Sequence, residues 1–263
     1  MNLRTIFFLF FTGILLTSCI PTKDMIYLQK KEGSEINSPI NPVVSKPYRL
    51  QTNDVLNISI KAIDPKLVAL FNPSPDNSKV QQSEQGLYFE GYSVDDHGNI
   101  RIPILGEINV LGFTVEEVRQ KIEKELLENY FKATANIFVI AKLAGLRFTI
   151  NGEVANPGTK MLYQDKVNVL EALANSGDIT ITGDRKNVMI IRQYPHGTEM
   201  HTIDLTDVSA MQSPYYYLQP NDYIYVKPLK QKSWGTGKTG IESLTTLITI
   251  MTLATTTFLI LKN

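Results

Sequence analysis

Three histidines, His97, His196 and His201, and a single cysteine, Cys19, are the side chains whose ligating or nucleophilic chemistry is most easily recruited at neutral pH. No two of the histidines stand at a metal-site spacing. The chain also lacks a His-Glu-x-x-His pair, a Walker loop, a Gly-x-Ser-x-Gly elbow and a dinucleotide fingerprint. His97 reads as a solvated turn residue, His196 sits before Gly197 in another turn, and His201 opens an exposed strand. Asp95 and Asp96 are adjacent in a turn, which fits turn formation better than a carboxylate mechanism; cation binding is the alternative. Tyr215, Tyr216 and Tyr217 offer surfaces for a sugar ring or for a subunit interface. Catalytic residues, a metal and a cofactor are therefore not expected, and an enzyme is disfavoured.

Cys19 points to a different chemistry. Arg4 supplies a positive start, residues 6–16 are apolar apart from Thr12 and Gly13, and small residues precede the cysteine. That run is shorter than the roughly 20 residues a spanning helix needs. The order Leu16, Thr17, Ser18, Cys19 resembles the lipobox of bacterial lipoproteins, which implies cleavage after residue 18 and acylation of Cys19, palmitate included. Ile20 rather than Asp follows it, which in those proteins weighs against inner-membrane retention. With one thiol in the chain, no intrachain disulfide can form.

A second apolar stretch, 241–261, lies near the other end. As a helix it would rise about 31 Å, close to the roughly 30 Å of bilayer hydrocarbon. Glu242, Thr245, Thr249, Thr252 and Thr256 recur at spacings of three or four and share one face, while Leu244, Leu247, Ile248, Met251, Phe258 and Leu259 mostly fall on the others. A ring of such helices with its Thr faces lining a wet lumen is the expectation. The competing reading is that the hydroxyls bond their own helix carbonyls or glue helices together.

Between these two stretches the composition is balanced. Lys plus Arg equals Asp plus Glu at 26 each, and losing Arg4 with the leader tips the mature chain to about minus one. Neutrality without a broad basic patch argues against a nucleic-acid partner. Residues 19–47 are rich in Pro, Ser, Asn and Lys and read as a tether, with a short interfacial or strand segment at 25–28 as the alternative.

Two folded units must hold whatever surface does the work. In the first, Leu56, Ile58 and Ile60 alternate with Val55, Asn57 and Ser59 as a half-buried strand after an Asn53-Asp54 turn. A polar excursion over 64–91 follows, then a turn at 96–99, an edge or irregular strand at Pro103 and a turn at Gly106. Thr114 and Glu117 form a capping box for a helix with Val118, Ile122, Leu126 and Leu127 on its apolar stripe, ending near Asn129. A strand over 136–141 closes this unit. In the second, strands flank Gly152 and the pair Pro157-Gly158, and Asn168 caps a short helix that Glu171 boxes and Gly177 ends. A buried strand at 187–192, a shorter one at 201–205 and a last one through 222–226 complete it. Leu218, Gln219, Pro220, Asn221 and Asp222 repeat the pattern of Leu50, Gln51, Thr52, Asn53 and Asp54, so both units use one turn-into-strand device.

The order of these pieces resembles the bacterial outer-membrane polysaccharide export proteins of the Wza-like family. The first unit carries it on Tyr48, Leu50, Asn53, Asp54, Val55 and Leu56, on 95–100 with Pro103 and Gly106, and on 112–117. The second is similar to that family's soluble-ligand-binding β-grasp (SLBB) domain through 152–154, Pro157, Gly158, 169–177, Ile191, Arg192 and 220–226. The family usually has Gly-Asp at the two Asn-Asp positions, Gly-Gly where Ser176-Gly177 stands, and two β-grasp units in its best-known members. Asn replaces Gly well in a left-handed turn.

The resemblance implies an α+β architecture: signal peptide 1–18, lipid-anchored tether 19–47, export domain 48–144, β-grasp domain 145–230, linker 231–240 and transmembrane helix 241–261, the last forming an oligomeric α-helical barrel. It implies a passive outer-membrane channel for capsular or extracellular polysaccharide with a mainly periplasmic body. The implied partners are copies of itself in a ring, the polymer, the lipid bilayer, and an inner-membrane co-polymerase or chain-length regulator with or without a tyrosine-kinase domain. The alternative is a doubly anchored periplasmic glycan-binding or scaffold lipoprotein without a channel.

Overall fold

The structure, a computed structural model, describes residues 21–30, 47–72, 91–132, 135–194, 196–233, 245, 248–256 and 260. The leader, Cys19 and Glu242 lie outside the described residues, as do most of 31–47 and 234–244.

In the first unit, strand β1 (Val55–Lys61) buries Leu56, Ile58 and Ile60 and leaves the alternate side chains at the surface, as its period of two requires. β2 (Tyr92–Ser93) and β5 (Phe138–Leu143) pair antiparallel on either side of β1. A separate hairpin of β3 (Asn99–Ile102) and β4 (Gly106–Asn109) adds Ile100, Ile102 and Ile108 to the same core. Helix α1 (Val115–Asn129) starts where the capping box predicts: the Glu117 N–H donates to Thr114 Oγ1 at 3.2 Å and the Thr114 N–H donates to Glu117 Oε2 at 2.7 Å. Val118, Ile122 and Leu126 face the core, whereas Leu127 turns outward. Part of the stretch read as a polar excursion is packed. Val68 and Phe71 are buried, and the Asn72 amide bonds both backbone groups of Ile60, at 2.9 and 2.8 Å, in place of a neighbouring strand.

The chain passes from β5 through Ala144 and Gly145 into β6 (Leu146–Gly152) of the second unit, joined there by β7 (Gly158–Leu162), α2 (Val169–Asn175), β8 (Gly183–Tyr194), β9 (Gly197–Ile203) and β10 (Asp222–Pro228). The sheet order is β7-β6-β10-β8-β9, with β6 and β10 parallel and all other neighbours antiparallel. β10 is central, and its Ile224 and Val226 are fully buried with Phe148, Ile150, Val188 and Ile190. Asn168 and Glu171 close their box at 3.0 and 2.9 Å. β8 outruns the apolar stretch that announces it, because its hairpin with β9 supplies backbone partners whatever the side chains.

Residues 21–30, read as part of a tether, are docked on the second unit. The Leu28 and Gln29 N–H groups donate to the Leu205 and Thr206 carbonyls at 3.0 and 2.7 Å, and the Val208 N–H returns a bond to Gln29 O at 3.2 Å. Tyr27 and Leu28 pack against the core, the Tyr27 hydroxyl bonds Asp178, and Lys186 Nζ lies 2.7 Å from Asp24 Oδ1. Thr22–Asp24 form a single 3-10 turn, and the one strand-like contact is an isolated bridge of Gln29 with Asp207, just beyond the 25–28 stretch read as an alternative strand.

The tail requires a correction. The two-domain α+β architecture is present, but among the described residues no helix is long and apolar enough to cross a membrane. The described tail residues, 245, 248–256 and 260, are helical. Their hydroxyls are satisfied within the helix. Thr249 Oγ1 donates to Thr245 O at 2.8 Å, Thr252 to Ile248 O, and Thr256 to Thr252 O at 2.6 Å. The expected membrane-spanning helix and its α-helical barrel are therefore not borne out among the described residues.

Gly152 ends β6 at φ +94°, and a Cβ there would meet Val226 O at 2.0 Å. Gly152→Ala is expected to cost at least about 2 kcal/mol of stability, read as a lowered midpoint in chemical denaturation with unchanged slope.

Candidate functional site

The repeated turn-into-strand device proves to be one structure made twice. Leu50 and Leu218 plug the two cores, and Asn53 and Asn221 adopt the left-handed conformation at φ 69° and 65°. Each following aspartate folds back on its own turn: Asp54 Oδ2 accepts from the Gln51 N–H at 2.8 Å, and Asp222 Oδ2 from the Gln219 N–H at 2.7 Å. Both carboxylates are buried.

Their remaining partners differ. Asp54 accepts from the Tyr48 hydroxyl at 2.7 Å. Asp222 takes a two-pronged contact from Arg192, with Nε at 2.9 Å and Nη2 at 2.7 Å, and Nη2 also donates to Tyr217 O at 3.0 Å. The exposed fractions of the two side chains are 4% and 0%. Burial pushes the Asp222 carboxyl up from its ordinary range, opposed by the Arg192 and Gln219 donors. Burial likewise raises Asp54, against the Gln51 N–H and the Tyr48 hydroxyl. Tyr48 is held well above the ordinary phenol range by burial first and then by the Asp54 charge, with Asp222 contributing. The two turns thus face each other where the units meet, and Gln51 Nε2 donates across to Gln193 O at 3.4 Å.

A ridge of rings leads outward from Arg192. Its guanidinium lies 5.3 Å from the Tyr215 ring centroid, and Tyr215 stacks on His201 at 3.6 Å and 14°. His201 Nε2 meets Glu199 Oε2 at 2.8 Å, and His196 Nε2 meets Glu199 Oε1 at 3.1 Å. His196 in turn stacks on Tyr194 at 5.2 Å and 19°. Hydrogen bonds from His201 and then His196 hold the Glu199 carboxyl below its usual range. The hairpin register puts these groups on one side: Ile190 pairs with His201, Arg192 with Glu199 and Tyr194 with Gly197.

Two histidines that looked unrelated in the sequence therefore share one carboxylate. Asp95 is the turn former it was read to be, accepting from the His97 and Asn99 N–H groups at 2.9 and 2.8 Å, and His97 is exposed. Tyr216 is buried against Tyr217, so of the three tyrosines only Tyr215 joins the ridge. Among the described residues no group of three ligating side chains could hold a metal ion. Sequence reasoning missed the Arg192–Asp222 pair and the hub role of Glu199. The available signal was an arginine ending the apolar run of 188–191. The hollow along α1 between Arg119, Glu123 and Leu127 is the open flank of a solvated helix, whose Arg119 is already tied to Glu116 and Glu123.

Comparison with known proteins covers both units. A family model described as polysaccharide biosynthesis/export protein matches residues 42–140, and a model for the SLBB domain matches 146–226. The EPS I polysaccharide export outer membrane protein EpsA of Ralstonia nicotianae is 30% identical over 166 residues, 61% of this chain and 43% of that protein. The protein of the same name in Ralstonia solanacearum is 25% identical over 178 residues, 65% of this chain and 46% of the relative. The chain thus matches under half the length of these curated relatives.

Arg192→Met leaves Asp222 buried without its cation and is expected to cost about 3–5 kcal/mol in denaturant titrations. Combining it with Asp222→Asn removes the buried charge, keeps an acceptor for the Gln219 N–H, and is expected to restore more than half of that loss.

Proposed function

The chain belongs to the polysaccharide biosynthesis/export family, and from that membership we propose that it is a subunit of an outer-membrane assembly through which a capsular or extracellular polysaccharide leaves the cell. The observation that carries this reading is the order of the two matches, an export unit followed directly by an SLBB unit, each coinciding with its own hydrophobic core. Family membership places the chain among non-catalytic export proteins, and no reaction is assigned to it.

In this reading 48–144 is the export domain and 145–230 the SLBB domain. Both are built from sheets whose central strands are paired on both edges, with outer strands free to meet another copy. A homo-oligomeric ring of these bodies forms a passive periplasmic conduit for the polymer, fed by an inner-membrane co-polymerase or chain-length regulator. The near-neutral chain is compatible with a polymer that must slide rather than stick. Cys19 is acylated and ties the ring to the outer membrane. The docked segment 21–30 supports this: it delivers the chain to a fixed place on the SLBB unit a few residues after the cysteine.

Deleting the gene in its host is expected to remove the polymer from the cell surface while polymer accumulates inside the envelope, measured by fractionation and sugar analysis. Surface polymer at the wild-type level would overturn the export reading. A Cys19→Ala chain is expected to lose palmitate labelling and leave the membrane fraction. Retention of both label and membrane association would exclude Cys19 as the anchor.

A further inference from the structure

Resting on the export reading, we propose that the tip of the β8–β9 hairpin is a saccharide-contact site, with Tyr194, His196, Glu199, His201 and Tyr215 receiving a neutral pyranose unit of the polymer. A pyranose has two kinds of surface. Its C–H face prefers an aromatic ring, and its hydroxyl rim needs donors and acceptors close to those rings. The tip presents both: two stacked ring pairs, Tyr194 with His196 on the hairpin and His201 with Tyr215 of a later loop, and one carboxylate between them. Each imidazole spends Nε2 on Glu199, which leaves the Nδ1 side as the further polar edge for a hydroxyl.

The groups are accessible. The His196 side chain is 69% exposed, Glu199 38% and His201 30%. They are also held in place. Arg192 is buried against Asp222, and Tyr215 lies over its guanidinium. A rigid ring platform loses little freedom on contact, so even a shallow site gains from each stacked face.

Charge selects the sugar class. Arg192 is already committed to Asp222, and the carboxylate at the tip, Glu199, is shared by both imidazoles, so no guanidinium is offered there to a uronate or phosphorylated sugar, which would also face Glu199. A neutral hexose meets no such penalty. An open platform also binds each unit weakly, which suits a chain that moves past it, with repeated copies around a ring adding up.

Saturation-transfer NMR on the full mature chain in detergent tests this with four probes: methyl glucoside, methyl galactoside, methyl mannoside and methyl glucuronide. At least one neutral pyranoside is expected to receive saturation, with the glucuronide signal at least tenfold weaker. Both His196→Ala, at a largely exposed position, and Glu199→Gln, which keeps the size and one acceptor oxygen, are expected to reduce the neutral-sugar signal at least threefold. Circular dichroism and particle mass of the variants should match the parent. Absence of signal from all three neutral sugars, a stronger glucuronide signal, or unchanged signals in both variants would overturn the site. A changed particle mass would make the tip a contact between copies and overturn it too. Complementation separates the two levels: if gene deletion abolishes export but no sugar contacts the tip, the inference fails and the export reading stands. If deletion leaves export intact, the export reading fails whatever the NMR shows.

Discussion

An arginine and an aspartate with almost no exposed surface pair across the neighbouring strands β8 and β10 of the SLBB unit, and the surrounding turns and rings are arranged around them. Burying either charge alone would cost several kcal/mol, so both must arrive together and in the right geometry. Asn221 supplies that geometry by turning left-handed at φ 65°, which aims Asp222 back at Arg192. The Tyr217 carbonyl takes one of the remaining guanidinium donors and the Gln219 N–H fills a carboxylate lone pair. On one side the pair's field reaches Tyr48 in the neighbouring unit, and on the other the guanidinium seats Tyr215 and the ring ridge.

A second organising feature is the loop from Asp178 to Gly183, which holds the two chain segments that flank the folded body. Asp178 bonds Tyr27, and Arg185, anchored to the Ile179 and Thr180 carbonyls, lies under the Tyr27 ring. Thr182 accepts from the Leu229 N–H, while Glu153 gathers Thr180, Thr182 and Lys232. The segments before and after the two units therefore leave from one pole of the SLBB unit.

The tail shows how one sequence pattern admits more than one set of side-chain bonds. Threonines at spacings of three and four share a helix face, and such a face reads equally as a wet lining or as hydroxyls bonded to the preceding turn. The structure takes the second course, with Thr249, Thr252 and Thr256 each donating to a carbonyl four residues back. A hydroxyl bonded in this way has placed its one donor and keeps its acceptor lone pairs.

What could be read from residue order alone was local. Thr114 with Glu117 and Asn168 with Glu171 cap their helices because the partners lie three positions apart. Leu56, Ile58 and Ile60 alternate because a strand has period two. Asn53 and Asn221 announce left-handed turns because few other side chains tolerate them. The order of the two units is likewise written in contiguous stretches. The tertiary structure decided everything that depends on distance along the chain. Arg192 finds Asp222 thirty residues away, and Tyr27 finds Asp178 across 151. His201 stacks on Tyr215 only because a loop folds over the hairpin, and Glu199 joins two histidines only because the β8–β9 register brings them to one side. Such pairings pit closure entropy against burial and hydrogen bonding, and that balance is struck by the whole fold rather than by any window of sequence.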